Sequence, residues 1–344
     1  MNLEQLLILA EEKRASDVHL TVGISPRCRI NGKLVELWEE RMNAETIATL
    51  IEPLLTAEIT ERLKTTGEAD FSYSLPLIGR FRVNVFKQRN NYAVAIRLFP
   101  NEIPTPEELR LPTKVVELTK KKRGLTIVTG PTGGGKTTTV ASLINEINHN
   151  QSVHVITIED PIEYLYRHDK AMVNQREIGI DTFSYKDALA AALRENTDVI
   201  FVGELDDYET VNLALMAAET GHMVFTTMHT VDCVSTIQRI VDMFPPYHQS
   251  QIRTQLGNVL NAVISQQLLS SAQGGRRVAA FEVMYNNPEI RQLLREDKVN
   301  QIPSVIKKYK LEGMQIMDDA VYNLYLKQEI DEETMKKFSS GNLV

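Results

Sequence analysis

Gly130-Pro131-Thr132-Gly133-Gly134-Gly135-Lys136-Thr137 follows the apolar run Leu125-Thr126-Ile127-Val128-Thr129 and precedes Thr138-Thr139-Val140-Ala141-Ser142-Leu143-Ile144. A strand, a glycine-rich turn and a helix succeed one another, which is the setting a G-x-x-x-x-G-K-S/T phosphate loop requires. Glycines let backbone N–H groups close around phosphate oxygens, and the following helix presents its positive end to the same anion. Lys136 is long enough to reach the β- and γ-phosphates, and the Thr137 hydroxyl suits a Mg²⁺ shell. Residues Gly130 through Thr138 are therefore the expected nucleotide-binding set.

Outward from that loop, composition narrows the field. With 344 residues the chain has room for two domains, and 43% hydrophobic and 24% charged residues are ordinary for a globular protein. A net charge of −7 gives no general affinity for nucleic acid. Cys28 and Cys233 form no CxxC pair, which excludes a cysteine-cluster zinc site and fits a reducing cytoplasm. The acidic, amphipathic start shows no signal peptide, and no apolar run approaches the roughly 20 residues of a membrane span. Any membrane role is expected through a partner.

Residues 1–99 read as a small α+β domain on an antiparallel sheet. Leu3, Leu6, Leu7 and Ala10 share a helix face, and Val18–Val22 has strand character. Asn31-Gly32 sits between two short strands as a hairpin turn, residues 43–66 are helical in pattern, and a second hairpin pairs 80–86 with 92–98. Pro100, Pro104, Pro106 and Pro112 mark residues 100–113 as a linker. The run Lys120-Lys121-Lys122-Arg123 reads as a solvated face. From 114 to 287 the pattern is α/β, with apolar strands at 125–129, 153–158, 199–203 and 223–227 alternating with helices. A largely parallel sheet with its ligand at the strands' carboxyl ends follows. Residues 288–344 are helical in pattern.

Three polar clusters stand at strand ends. Ile158-Glu159-Asp160-Pro161-Ile162-Glu163 offers carboxylates that could orient Mg²⁺ or activate a water, with Glu159 the metal candidate and Glu163 the catalytic one. Asp198 to Glu204 is an apolar strand ending in an acid, as a Walker B strand does, so Glu204 is placed to polarise the attacking water. Phe225-Thr226-Thr227-Met228-His229-Thr230 puts His229 where it could sense a γ-phosphate.

These pieces resemble the PilT-type ATPases, type IV pilus retraction motors within the secretion-ATPase superfamily. The matching segments include Ala15-Ser16-Asp17-Val18-His19-Leu20, Gly79 to Asn84, the Asp box at 158–163, Gln175-Arg176-Glu177, Ala218 to His222, the His box around His229, and Arg239 to Pro245. The resemblance implies a PAS-like N-terminal domain, a flexible linker and a RecA-like core assembled as a homohexamer. It implies ATP and Mg²⁺ between the domains, with Arg80, Arg82 and Arg97 approaching the phosphates. It also implies twitching motility by pilus disassembly at the cytoplasmic face of the inner membrane, through a platform protein. Retraction rather than extension is indicated by the lack of a tetracysteine module and of a longer N-terminal region. Glu289 to Glu296 is similar in part to the helical AIRNLIRE segment of retraction motors.

Departures from the family pattern are also legible. Glu204-Leu205-Asp206-Asp207 carries an acid where the family has arginine, Gly134 stands where serine is common, and Asn196-Thr197 replaces an acid–proline pair. Asp206 is expected to weaken nucleotide affinity. Two alternatives therefore accompany the motor: a non-hydrolysing, nucleotide-binding ring subunit, and a pilus assembly or type IVB secretion ATPase.

Overall fold

The computed structural model describes residues 2–30, 32–76 and 78–339. Two compact units divide the chain, one reaching Glu102 and including Glu163–Leu165, the other comprising Ile103–Ile162 and the residues from Tyr166 on.

In the N-terminal unit, α1 (Leu3–Glu12) starts at an Asn2–Gln5 capping box and buries Leu3, Leu6, Leu7 and Ala10. Strands β1 (Asp17–Leu20), β2 (Arg27–Ile30) and β3 (Lys33–Glu36) follow, then helices α2 (Ala44–Ile51) and α3 (Ala57–Thr65), then β4 (Glu68–Leu75), β5 (Gly79–Gln88) and β6 (Asn91–Leu98). They form one antiparallel sheet in the order β3-β2-β1-β6-β5-β4. Asn31 of the first expected hairpin lies outside the described residues, but Ile30 pairs with Lys33 and Gly32 takes a φ of +79°. The turn between β5 and β6 is Arg89–Asn90, both at positive φ, the geometry whose twist matches the flanking strands. Strand β4 has no counterpart in the sequence reading, because its alternation is of half-buried rather than buried residues.

That sheet's inner face carries Phe81, Val83, Val85, Val94 and Ile96, packed with the apolar faces of α1 and α2. Side-chain alternation along β5 puts Arg80 and Arg82 on the other face, and the register sets Arg82 directly across from Arg97 of β6. Like charges so placed repel. Carboxylates offset the repulsion: Arg82 binds Asp70 through both Nε and Nη2, and Arg97 Nε reaches Asp17 at 3.2 Å.

The second unit begins with a short helix α4 (Thr113–Val116) directly after Pro112. Strand β7 (Gly124–Thr129), α5 (Lys136–Asn150), β8 (His154–Glu159), β9 (Met172–Glu177), α6 (Tyr185–Ala192), β10 (Val199–Val202), α7 (Tyr208–Glu219) and β11 (Met223–Met228) follow. Then come α8 (Cys233–Asp242), α9 (Pro246–Val259), β12 (Leu260–Ser270), β13 (Arg277–Tyr285), α10 (Pro288–Arg295), α11 (Ile302–Lys308), α12 (Met317–Leu326) and α13 (Glu332–Phe338). The seven-stranded sheet runs β13-β12-β7-β11-β10-β8-β9, parallel throughout except that β13 pairs antiparallel with β12. Three of these strands, β9, β12 and β13, were not expected from the sequence. Their polar interruptions, such as Ser265-Gln266-Gln267, break the apolar run that marks a buried strand.

Every residue of β7, β10 and β11 is buried, as a parallel sheet covered on both faces requires. Helices α6 to α10 pack on one face and α4 and α5 on the other. Lys120, Lys121, Lys122 and Arg123 are all exposed ahead of β7. Among the described residues no helix is long and apolar enough to cross a membrane. Phe225 lies fully buried in the central strand β11. Phe225→Ala should destabilise this unit by about 3–5 kcal/mol, read as a lower denaturant midpoint for loss of its tryptophan-independent helical signal.

Candidate functional site

The chemistry-bearing residues stand where β7, β8, β10 and β11 end side by side. Thr129 closes β7, and the loop from Gly130 leads into α5, whose first residue is Lys136. Strand β12 lies beneath that loop, with Ser265 opposite Thr129 in the register. A Cβ on Gly130, whose φ is +147°, would collide with the Gln266 carbonyl oxygen. One on Gly135 would lie 2.8 Å from Gln266 Nε2. The Gln266 side chain accepts a 2.6 Å hydrogen bond from Thr139 Oγ1, so the same residue supports the loop and anchors the helix that follows it. At the loop's outer edge Arg277, the first residue of β13, donates from Nη1 to the Gly133 carbonyl at 3.2 Å. No spacing rule marks Gln266 or Arg277; only strand pairing brings them here.

Lys136 is 7% exposed, and its ammonium donates to the carbonyls of Gly130 at 3.0 Å and Pro131 at 3.1 Å. It also lies 3.2 Å from His229 Nδ1. Because an ammonium can only donate, Nδ1 accepts and the imidazole carries its proton on Nε2. That Nε2–H faces Glu204 Oε1 at 3.1 Å. Three of the expected site residues, from the phosphate loop and the ends of β10 and β11, are thus joined in one hydrogen-bonded line: Lys136, His229, Glu204.

Backbone and hydroxyl bonds hold that line in place. Thr227 Oγ1 donates to the Gly203 carbonyl at 2.6 Å, and the Leu205 N–H to the Thr227 carbonyl at 3.1 Å, tying the ends of β10 and β11 together. Thr230 shares hydroxyl contacts of 2.7 Å with Thr129 and with Thr236 of α8. On β8, Glu159 is buried and accepts from Thr157 Oγ1 at 2.6 Å.

Tyr185, at the start of α6, also belongs to the site. Its hydroxyl lies 2.9 Å from where a Gly203 Cβ would be, so a side chain at 203 would have to displace it. Burial first, then the negative charges of Asp160, Glu204, Glu159 and Asp206, push the phenol well above its usual range and keep it a neutral O–H donor. An acidic strand end with a neutral donor inside it is a place for a water or a cation rather than for bare phosphate.

For Mg²⁺, the donor set consists of hard oxygens: the Thr137 hydroxyl in the first turn of α5 and the carboxylates of Glu159 and Glu204. Among the described residues no group of three or more His, Cys, Asp or Glu forms a protein cage for a metal. Hard oxygens of this kind suit Mg²⁺, which keeps several waters and is bound with substrate phosphates. Glu163, Arg80, Arg82 and Arg97 belong to the N-terminal unit. There Arg80 Nη1 donates to Ser74 Oγ at 3.2 Å on the same outward sheet face as Arg82.

Of the departures, Asn196 takes a φ of +51°, which asparagine tolerates, so the turn into β10 forms without the acid–proline pair. A Cβ at Gly134 would stand 2.9 Å from the Pro131 carbonyl oxygen. Asp206 is exposed just beyond β10, and its neighbour Asp207 caps α7 by accepting from the Thr210 N–H at 2.9 Å.

A phosphate loop at the end of an interior strand of a largely parallel sheet, with acidic and histidine strand ends beside it, defines a RecA-like nucleotide-binding core. The chain belongs to the Type II/IV secretion system protein family, whose model matches residues 2–291. It is similar to the type IV pilus retraction ATPase PilT of Pseudomonas aeruginosa, at 40% identity over 98% of both chains. It is also similar to the twitching motility protein of Neisseria gonorrhoeae, at 41% identity over 90% of this chain and 85% of that one. A crystal structure of the pilus retraction motor PilT with bound ADP matches with a TM-score of 0.92 and 46% identity, covering 99% of this chain and 98% of the other.

Gly130→Ala should abolish ADP binding in a fluorescent-nucleotide titration, because neither the alanine Cβ nor the β12 backbone can move aside. Gln266→Ala should weaken the same binding by about tenfold, roughly the contribution of one buried hydrogen bond plus lost loop support.

Proposed function

We propose that this chain is an ATP-hydrolysing motor that powers type IV pilus retraction. The observation that carries the reading is the line Lys136, His229, Glu204, which connects the phosphate-binding lysine to the Walker B acid across adjacent strand ends. Its likeness to an ADP-bound retraction motor along nearly the whole chain supports the same conclusion.

In this reading the loop's N–H groups, with Gly130 to Thr138, hold the triphosphate, and Lys136 neutralises the β- and γ-phosphates. The Thr137 hydroxyl and, through water, the Glu159 carboxylate would hold a Mg²⁺ ion, which would supply charge neutralisation at the phosphates. Glu204 orients and polarises the attacking water. His229, with Nε2–H toward Glu204, keeps that carboxylate aimed while its Nδ1 answers to Lys136. Tyr185 offers the acidic strand end a neutral donor.

Further parts of the proposal concern assembly. The working form is a homohexamer acting at the cytoplasmic face of the inner membrane through a platform protein. Its segments are a PAS-like domain over 1–99, a linker over 100–113, a RecA-like core over 114–287 and a helical region over 288–344. Glu163, Arg80, Arg82 and Arg97 reach the nucleotide when the domains close, and the linker turns hydrolysis into movement. Arg82 and Arg97 face each other across β5 and β6 with Asp70 and Asp17 beside them, and a polyphosphate would give the pair a further anionic partner.

Lys136→Ala and Glu204→Ala should each eliminate Mg²⁺-dependent ATP turnover in a phosphate-release assay. A purified wild-type hexamer that binds ATP without turning it over would instead support a regulatory ring subunit. Asp206→Arg should tighten ATP binding by about three- to tenfold, the scale of one screened charge reversal near a polyphosphate; an unchanged Kd would show that Asp206 does not lower the affinity. Cells lacking the chain should carry excess surface pili, whereas missing pili would point to assembly.

A further inference from the structure

Glu282 sits inside β13, is 8% exposed, and has no part in the nucleotide chemistry above. Its Oε1 accepts from the Cys233 N–H at 2.7 Å, and its Oε2 from the Met317 N–H at 3.3 Å. Cys233 and Met317 are the first residues of α8 and α12. Those N–H groups are donors that a helix leaves without intrahelical partners, and a carboxylate there also meets the positive end of each helix. Helix α12 has no side-chain cap of its own.

The neighbours of Glu282 make the connection specific. Ser265, its partner across β12 and β13, donates to the Val231 carbonyl at 2.6 Å. Adjacent side chains thus hold residues 231 and 233 on either side of Asp232, the cap of α8. Two residues before Val231 stands His229, and Thr230 between them is held by Thr129 and Thr236. On the other side, Val283 and Gln315 exchange backbone hydrogen bonds of 2.8 and 3.0 Å, and Gln315 Nε2 donates to the Phe281 carbonyl at 2.8 Å. The segment leading into α12 is thereby fastened to the strand that carries Glu282. Burial pushes the Glu282 carboxyl above its ordinary range, against the pull of the Cys233 and Met317 donors. Burial also raises the Cys233 thiol, so it stays neutral beside that carboxylate.

We propose that Glu282 is a positioning residue that ties the His229 loop to the C-terminal helix α12 by capping α8 and α12 with one carboxylate. Nucleotide at the phosphate loop is then felt at the start of α12, and the seating of α12 sets how accurately His229 addresses Lys136 and Glu204. The effect on turnover rests on the ATPase reading above; the structural link does not.

Variants of the chain test it. Glu282→Gln keeps the shape but turns an NH₂ toward one of the two donors. Met317→Pro deletes the α12 N–H, at a first-turn position where proline fits, after an Ile316 that is already extended at φ −82°, ψ 157°. It also removes the Met317 side chain, which packs on the cluster around Ala320 and Val321, so Met317→Ala, which keeps the N–H, is its packing control. Without nucleotide, hydrogen exchange in Glu282→Gln should quicken in the first turn of whichever helix, α8 or α12, presents its N–H to the amide NH₂, and in Glu282→Ala, which removes both acceptor oxygens, in the first turns of both. A change at one helix alone in Glu282→Ala overturns the shared cap. Adding ADP to the wild type should slow exchange across residues 318–321 by about threefold or more, and Met317→Pro should lose that response. Measured ADP binding without any response at 318–321 in the wild type refutes the coupling. No ADP binding at all would instead refute the reading of the phosphate loop, leaving the nucleotide-free exchange to decide the link. In steady-state hydrolysis, Met317→Pro should lower kcat by about tenfold with KM within about twofold, the mark of misplaced rather than missing chemistry. The double variant should be no slower than Glu282→Gln; additive losses would mean that the residues act separately.

Discussion

The active edge of this molecule depends on one close approach, that of the phosphate loop to the backbone of β12. Gly130 lies against the Gln266 carbonyl with no room for a side chain, and Gln266 in turn holds Thr139 in the first turns of α5. A loop fixed on both sides directs the start of α5 and the Lys136 side chain toward the end of β11. If β12 were absent, or paired one residue out of register, side chains would exchange faces and Gln266 would point away. The nucleotide-binding geometry is therefore a property of the sheet as much as of the glycines.

Charge is distributed unevenly around that edge. A chain with a net charge of −7 places Glu159, Asp160, Glu204 and Asp206 around one half-buried phenol. Lys136 is the cation on the loop side, and its contact with His229 connects the two electrostatic regions through a neutral imidazole. An isolated acidic cluster would repel a triphosphate. A lysine and a helix N-terminus on one side, with carboxylates suited to water on the other, separate the binding of phosphate from its hydrolysis. The N-terminal unit follows a related logic, since Arg82 and Arg97 tolerate each other only because Asp70 and Asp17 stand beside them.

The departures from the family pattern sort themselves by backbone and charge. Asn196 adopts the positive φ that its turn needs, so the missing proline leaves the entry to β10 intact. Gly134 sits where an added Cβ is tight against Pro131, so this loop is shaped for glycine. Asp206 has no such compensation: it is exposed at the end of β10 and adds to the negative field around Tyr185.

By itself the sequence determined the phosphate loop, the strand ends at Glu159, Glu204 and His229, the α/β alternation and the antiparallel N-terminal sheet. Each of these is a local pattern, written in residues that are adjacent or separated by one helical or strand repeat, and such patterns survive in one dimension. The line joining Lys136 to Glu204 through His229 was legible only as three separate candidates. Tertiary structure alone decided that Gln266 supports the loop, that Arg277 reaches it, that Tyr185 enters the acidic site and that Glu282 serves two helices. Those roles depend on which strand lies beside which: β12 next to β7 and β13 next to β12 bring residues more than a hundred positions apart within hydrogen-bond distance. A glutamine or glutamate inside a strand shows no sign in the sequence of the partner that the sheet order will bring to it.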